Sequence, residues 1–127
     1  MKNCVFCDMP KENYVMVNDW FYAIYDKYPV SPGHLLVIPK RHVETLFDLS
    51  DQERNVLFSF IEECKMKIDA ELQPDAFNFG INQGKAAGQT IPHLHLHIIP
   101  RYLGDMEEPE GGVRGVIPEK QKYGRKK

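Results

Sequence analysis

The stretch Gly88-Gln89-Thr90-Ile91-Pro92-His93-Leu94-His95-Leu96-His97-Ile98-Ile99-Pro100 holds three of the chain's five histidines, at alternate positions. Alternation with period two is typical of a β-strand, because successive side chains of a strand point to opposite faces. The aliphatic residues between the histidines therefore predict one buried apolar face. The other face carries three imidazoles, about 7 Å apart. Pro92 and Pro100 bracket the strand, since proline does not occupy the middle of a central strand.

Histidines in register on a strand allow more than one interpretation. They can form the solvated face of a half-buried strand, although histidine is scarce and has only ordinary strand propensity. They can also bind a catalytic metal, because His-x-His on a strand presents two imidazoles to one zinc ion. An imidazole is, in addition, a good nucleophile near neutral pH, because much of it is unprotonated there. The residues alone leave the metal and the nucleophile open.

The size and charge of the chain restrict its class. Its 127 residues predict one domain, residues 1–127, with a charged C-terminal tail from about residue 105. The net charge of −2 gives no general electrostatic attraction to nucleic acid, so no nucleic-acid partner is expected. No apolar run approaches the length of a membrane span, and no signal peptide precedes Asn3. Three cysteines, an odd number, favour a reducing, cytoplasmic location over a disulfide framework.

Short patterns along the chain predict an α+β fold. Residues 14–17 and 20–25 read as a hairpin, residues 34–39 as a buried central strand, and residues 77–82 as another strand. A short helical turn is expected over residues 43–49. Ser50 and Glu53 form a capping box, which starts a helix that runs to about Leu72. Its predicted core face comprises Leu57, Ile61, Cys64, Ile68 and Leu72. Together these elements predict an antiparallel sheet of about five strands with one long and one short helix.

Three further features have polar groups that could serve a site, but none of them identifies the chemistry. Cys4-Val5-Phe6-Cys7 is compatible with a redox pair, with half of a zinc site, or with neither. Asp26 ends the second strand of the hairpin, where a carboxylate is usually a solvated end or a turn cap. The glycine-bearing loop of residues 83–88 can bring backbone N–H groups close to a phosphate.

His-Leu-His-Leu-His-Ile-Ile, preceded by Gly-Gln-Thr, resembles the signature of the histidine triad family of nucleotide hydrolases and transferases. The resemblance extends over nearly the whole chain. Pro-Arg-Tyr-Leu-Gly-Asp at residues 100–105 and Gly-Gly-Val-Arg-Gly-Val-Ile-Pro at residues 111–118 resemble its bacterial diadenosine polyphosphate hydrolase branch. The resemblance also implies a symmetric homodimer with a continuous sheet, of which the sequence gives no direct sign.

The resemblance implies a role for most polar residues named above. His95 would attack the α-phosphorus and form a covalent nucleotidyl-histidine intermediate, which a water would hydrolyse. His97 would contact the phosphate oxygens, and His34 would complete the histidine cluster. Asp26 would bind the ribose hydroxyls of the nucleotide. The positions that line the phosphate site in the family are Asn82, Gln89 and Thr90.

The resemblance also implies a structural zinc ion. In some members of the family the first histidine of the motif binds zinc, together with an N-terminal C-x-x-C and a histidine after the central strand. The matching residues here are Cys4, Cys7, His42 and His93, which suit a closed tetrahedral site. The alternative is that the cysteines are ordinary thiols and His93 merely supports His95. No organic cofactor is expected.

The expected function is that of a nucleotide hydrolase. It would cleave at the α-phosphate of a purine nucleotide derivative, such as a dinucleoside polyphosphate. A phosphoramidase, or a phosphorylase that uses phosphate instead of water, is the related alternative. The alternative of another class is a nucleotide- or zinc-binding interaction module without turnover. The presence of His95 argues against that module, since a pure binder has no need of the nucleophile.

Overall fold

A five-stranded antiparallel sheet, in the order β1-β2-β3-β5-β4, forms the centre of the computed structural model, which describes residues 3–123. Within that range one α-helix, α1 (Asp51–Leu72), packs on the sheet, and a 3₁₀ turn at Leu46–Asp48 replaces the predicted short helix. The predicted α+β architecture is thereby confirmed. The strands are β1 (Met16–Val17), β2 (Phe21–Tyr25), β3 (Leu35–Pro39), β4 (Ala76–Ile81) and β5 (Leu96–Arg101).

The sheet is covered on both faces, because alternate residues of its central strands enter two different apolar clusters. On one face Phe21 of β2 and Val37 of β3 pack with Phe60 of α1. On the opposite face Tyr22 and Leu36 pack with the N-terminal segment, the residues that precede β1. The long helix and the N-terminal segment thus lie on opposite sides of the sheet.

The helix begins as its sequence predicts and packs slightly differently. The Ser50 side chain accepts from the Glu53 N–H at 3.1 Å, and the Glu53 carboxylate accepts from the Ser50 N–H at 2.7 Å. Phe60, which the predicted core face omitted, is fully buried, while Leu72 is 41% exposed. The prediction for Leu72 is wrong because Leu72 is the last residue of α1 and lies outside the core cluster, at its margin over Gly33.

The histidine stretch is only partly a strand. β5 begins at Leu96, so His93 and His95 lie in the segment that precedes it. The expectation that Pro100 lies outside the strand is wrong, because Pro100 pairs with Phe77 of β4 inside β5. It is tolerated there because β3 pairs with β5 only as far as Ile98. Beyond that point the Pro100 carbonyl accepts a hydrogen bond from the Ser31 hydroxyl at 2.6 Å.

As far as residue 123, the charged tail after β5 contains two 3₁₀ turns, at Gly112–Val116 and Pro118–Lys120. Its short apolar run does not enter the core, since Val113 and Val116 are both largely exposed. The last basic residues, 124–127, lie outside the described residues. Within residues 3–123, no helix combines the length and apolar character that crossing a bilayer requires.

Candidate active site and metal centre

The ring of His95 is held by the backbone of its own segment. Its Nδ1 atom lies 2.8 Å from the carbonyl oxygen of His93. Because a carbonyl oxygen only accepts, Nδ1 must carry a proton and donate it to this bond. In the neutral ring the other nitrogen, Nε2, therefore has a free lone pair. The local chain conformation thus leaves His95 with the nitrogen that a nucleophile needs.

His34 and His97 form a pair beside His95. His34 precedes β3 and His97 lies on β5, and the rings meet with His34 Nε2 2.9 Å from His97 Nδ1. The ring centroids of His95 and His97 are 5.5 Å apart. The three imidazoles predicted to act together therefore lie in one cluster, whereas His93 faces away from it.

Burial sets the charge of the paired rings. Burial lowers the pKa of His34, and the Asp26 carboxylate opposes this shift. Burial also lowers the pKa of His97, and the neighbouring His34 and His95 add to the effect, again against Asp26. Both shifts favour neutral rings near pH 7, because each places the pKa below the ordinary 6.5.

The two carboxylate oxygens of Asp26 have different neighbours: one caps a turn and the other faces the histidines. Oδ1 accepts from the N–H of Tyr28 at 2.9 Å, which is the turn cap that a carboxylate at a strand end usually makes. Oδ2 lies 3.4 Å from His34 Nε2 and 3.9 Å from His97 Nδ1. One carboxylate oxygen therefore points into the cluster, at the rim where a ligand can reach it.

Gln89 closes the loop that leads to the histidines. Its Oε1 accepts from the Gly84 N–H at 2.8 Å, and its Nε2 donates to the carbonyls of Glu44 at 3.1 Å and Ile91 at 3.2 Å. Both amide hydrogens are therefore engaged inside the protein. The structure thus uses the predicted phosphate contact Gln89 to hold the loop in place.

Asn82 and Thr90 are exposed residues at the two ends of the same loop. Within residues 3–123, neither side chain has a hydrogen-bond partner. Polar side chains without partners at the ends of a loop are available for a ligand. Gly80 of β4 adds room nearby, because it lies opposite His97 and a Cβ atom there would meet nothing within 4 Å.

The second cluster joins the N-terminal segment to the sheet. Its members are Cys4, Cys7, His42 after β3 and His93 before β5, and their donor atoms all lie within 4.8 Å of one another. His42 Nδ1 is 3.1 Å from His93 Nδ1 and 3.2 Å from the Cys7 sulfur. His93 Nδ1 is 3.4 Å from the Cys4 sulfur and 3.6 Å from that of Cys7.

These distances suit a tetrahedral zinc ion. Metal bonds of about 2.3 Å to sulfur and about 2.05 Å to nitrogen separate two nitrogens by about 3.3 Å and a sulfur from a nitrogen by about 3.6 Å. His93 Nε2 lies 2.9 Å from the Pro39 carbonyl and donates to it, which leaves the Nδ1 lone pair for a metal. The four side chains therefore fit a closed Cys₂His₂ centre.

Two contacts near these clusters were not anticipated from the sequence. Phe6, between the two cysteines, packs its ring 5.0 Å from that of His95 and 5.7 Å from that of His93. The other contact supports the segment before His42, where both ends of the Arg41 guanidinium bind the buried Glu53 carboxylate, at 2.8 and 3.1 Å. The aromatic residue inside the C-x-x-C was the only signal available for the first contact.

A protein-family comparison matches residues 10–104 to the HIT domain. Cys4 and Cys7 lie outside the matched range. Among solved structures, a zinc-bound histidine triad family protein from Mycobacterium smegmatis superposes with a TM-score of 0.73 at 35% identity. That match covers 84% of this chain and 80% of the other.

Two curated relatives have names that state an activity. An AP-4-A phosphorylase from Mycobacterium tuberculosis is 42% identical over 85 residues, which are 66% of this chain and 44% of the relative. An asymmetrical bis(5'-nucleosyl)-tetraphosphatase from Schizosaccharomyces pombe is 45% identical over 80 residues, 63% of this chain and 44% of the relative. The matched part therefore spans less than half the length of either enzyme.

Proposed function

This chain belongs to the HIT family, and we propose that it is a nucleotide hydrolase that cleaves at the α-phosphate of dinucleoside polyphosphates or related nucleotide derivatives. The observation that carries the proposal is the 2.8 Å bond between His95 Nδ1 and the His93 carbonyl. In the neutral ring it leaves the lone pair of His95 Nε2 free to attack, and it fixes the orientation of the ring, so little orientation entropy is lost during the reaction. The names of the two enzyme relatives support the same class of substrate.

The proposed reaction has two displacements at the same phosphorus. The lone pair of His95 Nε2 attacks the α-phosphorus, and the bond from phosphorus to the leaving-group oxygen breaks, which gives a nucleotidyl-histidine. The positive charge on the ring is stabilised through the Nδ1–H bond to the His93 carbonyl. A water oxygen then attacks the same phosphorus and gives up a proton to the solvent, the P–N bond breaks, and the lone pair returns to Nε2 as the nucleoside monophosphate leaves.

The surrounding residues have binding roles in this proposal. His97 contacts the phosphoryl oxygens and His34 supports it from behind. Asp26 binds the ribose hydroxyls through the carboxylate oxygen that faces the cluster. Asn82 and Thr90 line the phosphate site, and Gln89 acts on the same site by shaping its loop.

We also propose that Cys4, Cys7, His42 and His93 bind one structural zinc ion. The ion supplies a cross-link between the N-terminal segment and the two strands that flank the site. The chain's own residues then hold Phe6 against the His95 ring. A closed four-ligand site has no open position for substrate, so its effect is expected in stability before chemistry.

A phosphorylase is the second candidate, and the similarity to the AP-4-A phosphorylase favours it. In that reaction inorganic phosphate replaces water in the second displacement, and the released nucleotide gains a phosphate. Product analysis distinguishes the two. With diadenosine tetraphosphate in phosphate buffer, a hydrolase gives AMP and ATP, while a phosphorylase gives ADP and ATP.

We propose that two chains pair through β4, which is an edge strand of the sheet. Phe79 of β4 and two residues of α1, Phe58 and Met66, form an exposed apolar surface beside that edge. Pairing of two β4 strands would extend the sheet and cover these side chains. Analytical ultracentrifugation should find a dimer, and Phe79→Lys should shift it to monomer. A wild-type monomer at micromolar concentration would contradict this proposal.

The proposed reaction is tested by the mass of the intact protein after mixing with a dinucleoside polyphosphate and rapid quenching. The expected result is a nucleotidyl adduct on the wild type and none on His95→Asn. Cys64→Ala, a change in the core away from both clusters, serves as the matched control and should still form the adduct. Nucleotide binding without adduct or turnover in the wild type would instead favour the non-catalytic module. None of the three cysteines, all of which lie within residues 3–123, forms a disulfide, in keeping with the cytoplasmic location that we also propose.

A further inference from the structure

The loop between β2 and β3 places one main-chain donor against the buried histidine pair. The N–H of Val30 donates to Nδ1 of His34 at 3.0 Å. The loop is fixed at both ends, because the Asp26 N–H donates to the His34 carbonyl at 2.9 Å and the His34 N–H to the Ser31 carbonyl at 3.2 Å. The Val30 side chain itself is 70% exposed. Val30 therefore serves the site through its backbone.

The two neutral rings can share their hydrogen bond in only two ways. In the first arrangement His34 Nε2–H donates to His97 Nδ1 across the 2.9 Å contact, which leaves the second proton on His97 Nε2. In the second arrangement His97 Nδ1–H donates to His34 Nε2, and His34 then carries its proton on Nδ1. That proton would face the Val30 N–H, so two donors would meet at 3.0 Å.

We infer that the main-chain N–H of Val30 fixes the proton positions of both rings and so makes Nε2 of His97 a hydrogen-bond donor to the phosphoryl oxygens. Val30 is a positioning residue, since it acts on the substrate through two imidazoles. The Asp26 carboxylate favours the same arrangement electrostatically, because its Oδ2 lies closer to His34 Nε2, at 3.4 Å, than to His97 Nδ1, at 3.9 Å. The donor role of His97 rests on the proposed function, whereas the proton positions do not.

This arrangement of protons also indicates whether Asp26, His34 and His97 could bind a cation. Their potential ligand atoms lie within 4.8 Å of one another, as those of a cation site do. A cation there would need the lone pair of His34 Nε2, which carries a proton when Nδ1 accepts from Val30. The lone pair of His97 Nδ1 is already engaged in accepting from His34. The Val30 N–H, His34 and His97 therefore form a hydrogen-bonded relay beside Asp26, and not a second metal site.

The test uses the nitrogen NMR spectrum of the full chain with ¹⁵N-labelled histidine, in which protonated and unprotonated ring nitrogens have distinct shifts. Near pH 7 we expect His34 and His97 both protonated on Nε2 alone. Val30→Pro removes the N–H and should give a mixture of arrangements for both rings. Val30→Ala loses the side chain and keeps the N–H, and it should show the wild-type proton positions. Replacing Val30 by its α-hydroxy analogue through semisynthesis removes the same N–H without a proline ring.

The two variants that lack the N–H should have a kcat roughly two- to tenfold lower than that of Val30→Ala. A decrease of this size corresponds to the loss of one net hydrogen bond. A proton on His97 Nδ1 in the wild type would overturn the inference. Unchanged proton positions in both variants that lack the N–H would overturn it as well. Absence of turnover in the wild type would refute the proposed function. The NMR spectra would still test the proton positions of His34 and His97, so the two failures are distinguishable.

Discussion

Removal of zinc should lower the thermal stability of the protein. The size of the decrease can be calculated from the mass action of one ion binding at one site. The four donor atoms already lie within 4.8 Å of one another, and four of their six pairs are 3.1 to 3.6 Å apart, so little reorganisation accompanies binding. Above the dissociation constant, one bound ion adds about 1.4 kcal/mol to the free energy of unfolding for each tenfold rise in free zinc. For 127 residues the unfolding entropy is about 270 cal/mol/K. The midpoint Tm should therefore rise by about 5 °C per decade of free zinc.

The assay is thermal unfolding followed by circular dichroism in metal buffers that fix free zinc over several decades. The paired change Cys4→Ser and Cys7→Ser should abolish the dependence on zinc. Cys64→Ala, which alters the one cysteine outside the cluster, should lower Tm and keep the slope. A slope of zero in the wild type would refute the site. A slope twice as large would mean a second ion and would contradict the relay of the Val30 N–H, His34 and His97.

Three further results are expected. His95→Asn should abolish turnover, by several orders of magnitude, while nucleotide binding measured by calorimetry stays within a few-fold; near-full activity would rule out a covalent nucleophile. Asp26→Asn should raise KM more than it lowers kcat, and a 2',3'-dideoxy substrate used as well as its parent would contradict the ribose contact. Burial lowers the pKa values of His34 and His97 in the folded state, so the unfolded chain takes up protons first as the pH falls below 6.5. The free energy of unfolding, measured by urea titration, should therefore decrease as the pH is lowered below 6.5, by at most about 1.4 kcal/mol per pH unit for each ring. The decrease should be less steep in the double variant His34→Gln, His97→Gln.

The features that sequence reasoning predicted are those encoded by local patterns. The start of α1 follows from a serine and a glutamate three residues apart, and both reciprocal bonds are present. The apolar alternation placed Leu96 and Ile98 toward the core correctly. The four zinc ligands were predicted from the family resemblance. Their donor atoms lie together in the structure, although the first ligand is Cys4 and the last is His93.

The features that it missed depend on contacts between distant segments. Phe60, and not Leu72, is buried in the core because of the position at which α1 crosses the sheet. Helical spacing alone does not specify that position. Gln89 donates to the carbonyl of Glu44, 45 residues away, and no local pattern shows that its amide is already engaged. The Val30 N–H is a backbone group, so no side-chain motif can mark it.

The glycine at position 80 gives the protein a simple route for changing its substrate range. Gly80 lies directly opposite His97 on the neighbouring strand, and the space above it is open. A single base change turns a glycine codon into one for alanine, serine or valine, and each would fill this space by a different amount. A lineage can thus narrow the room beside His97 in small steps without touching a reactive group. Comparing the substrates used by such a series would measure how far the bound molecule extends along β4.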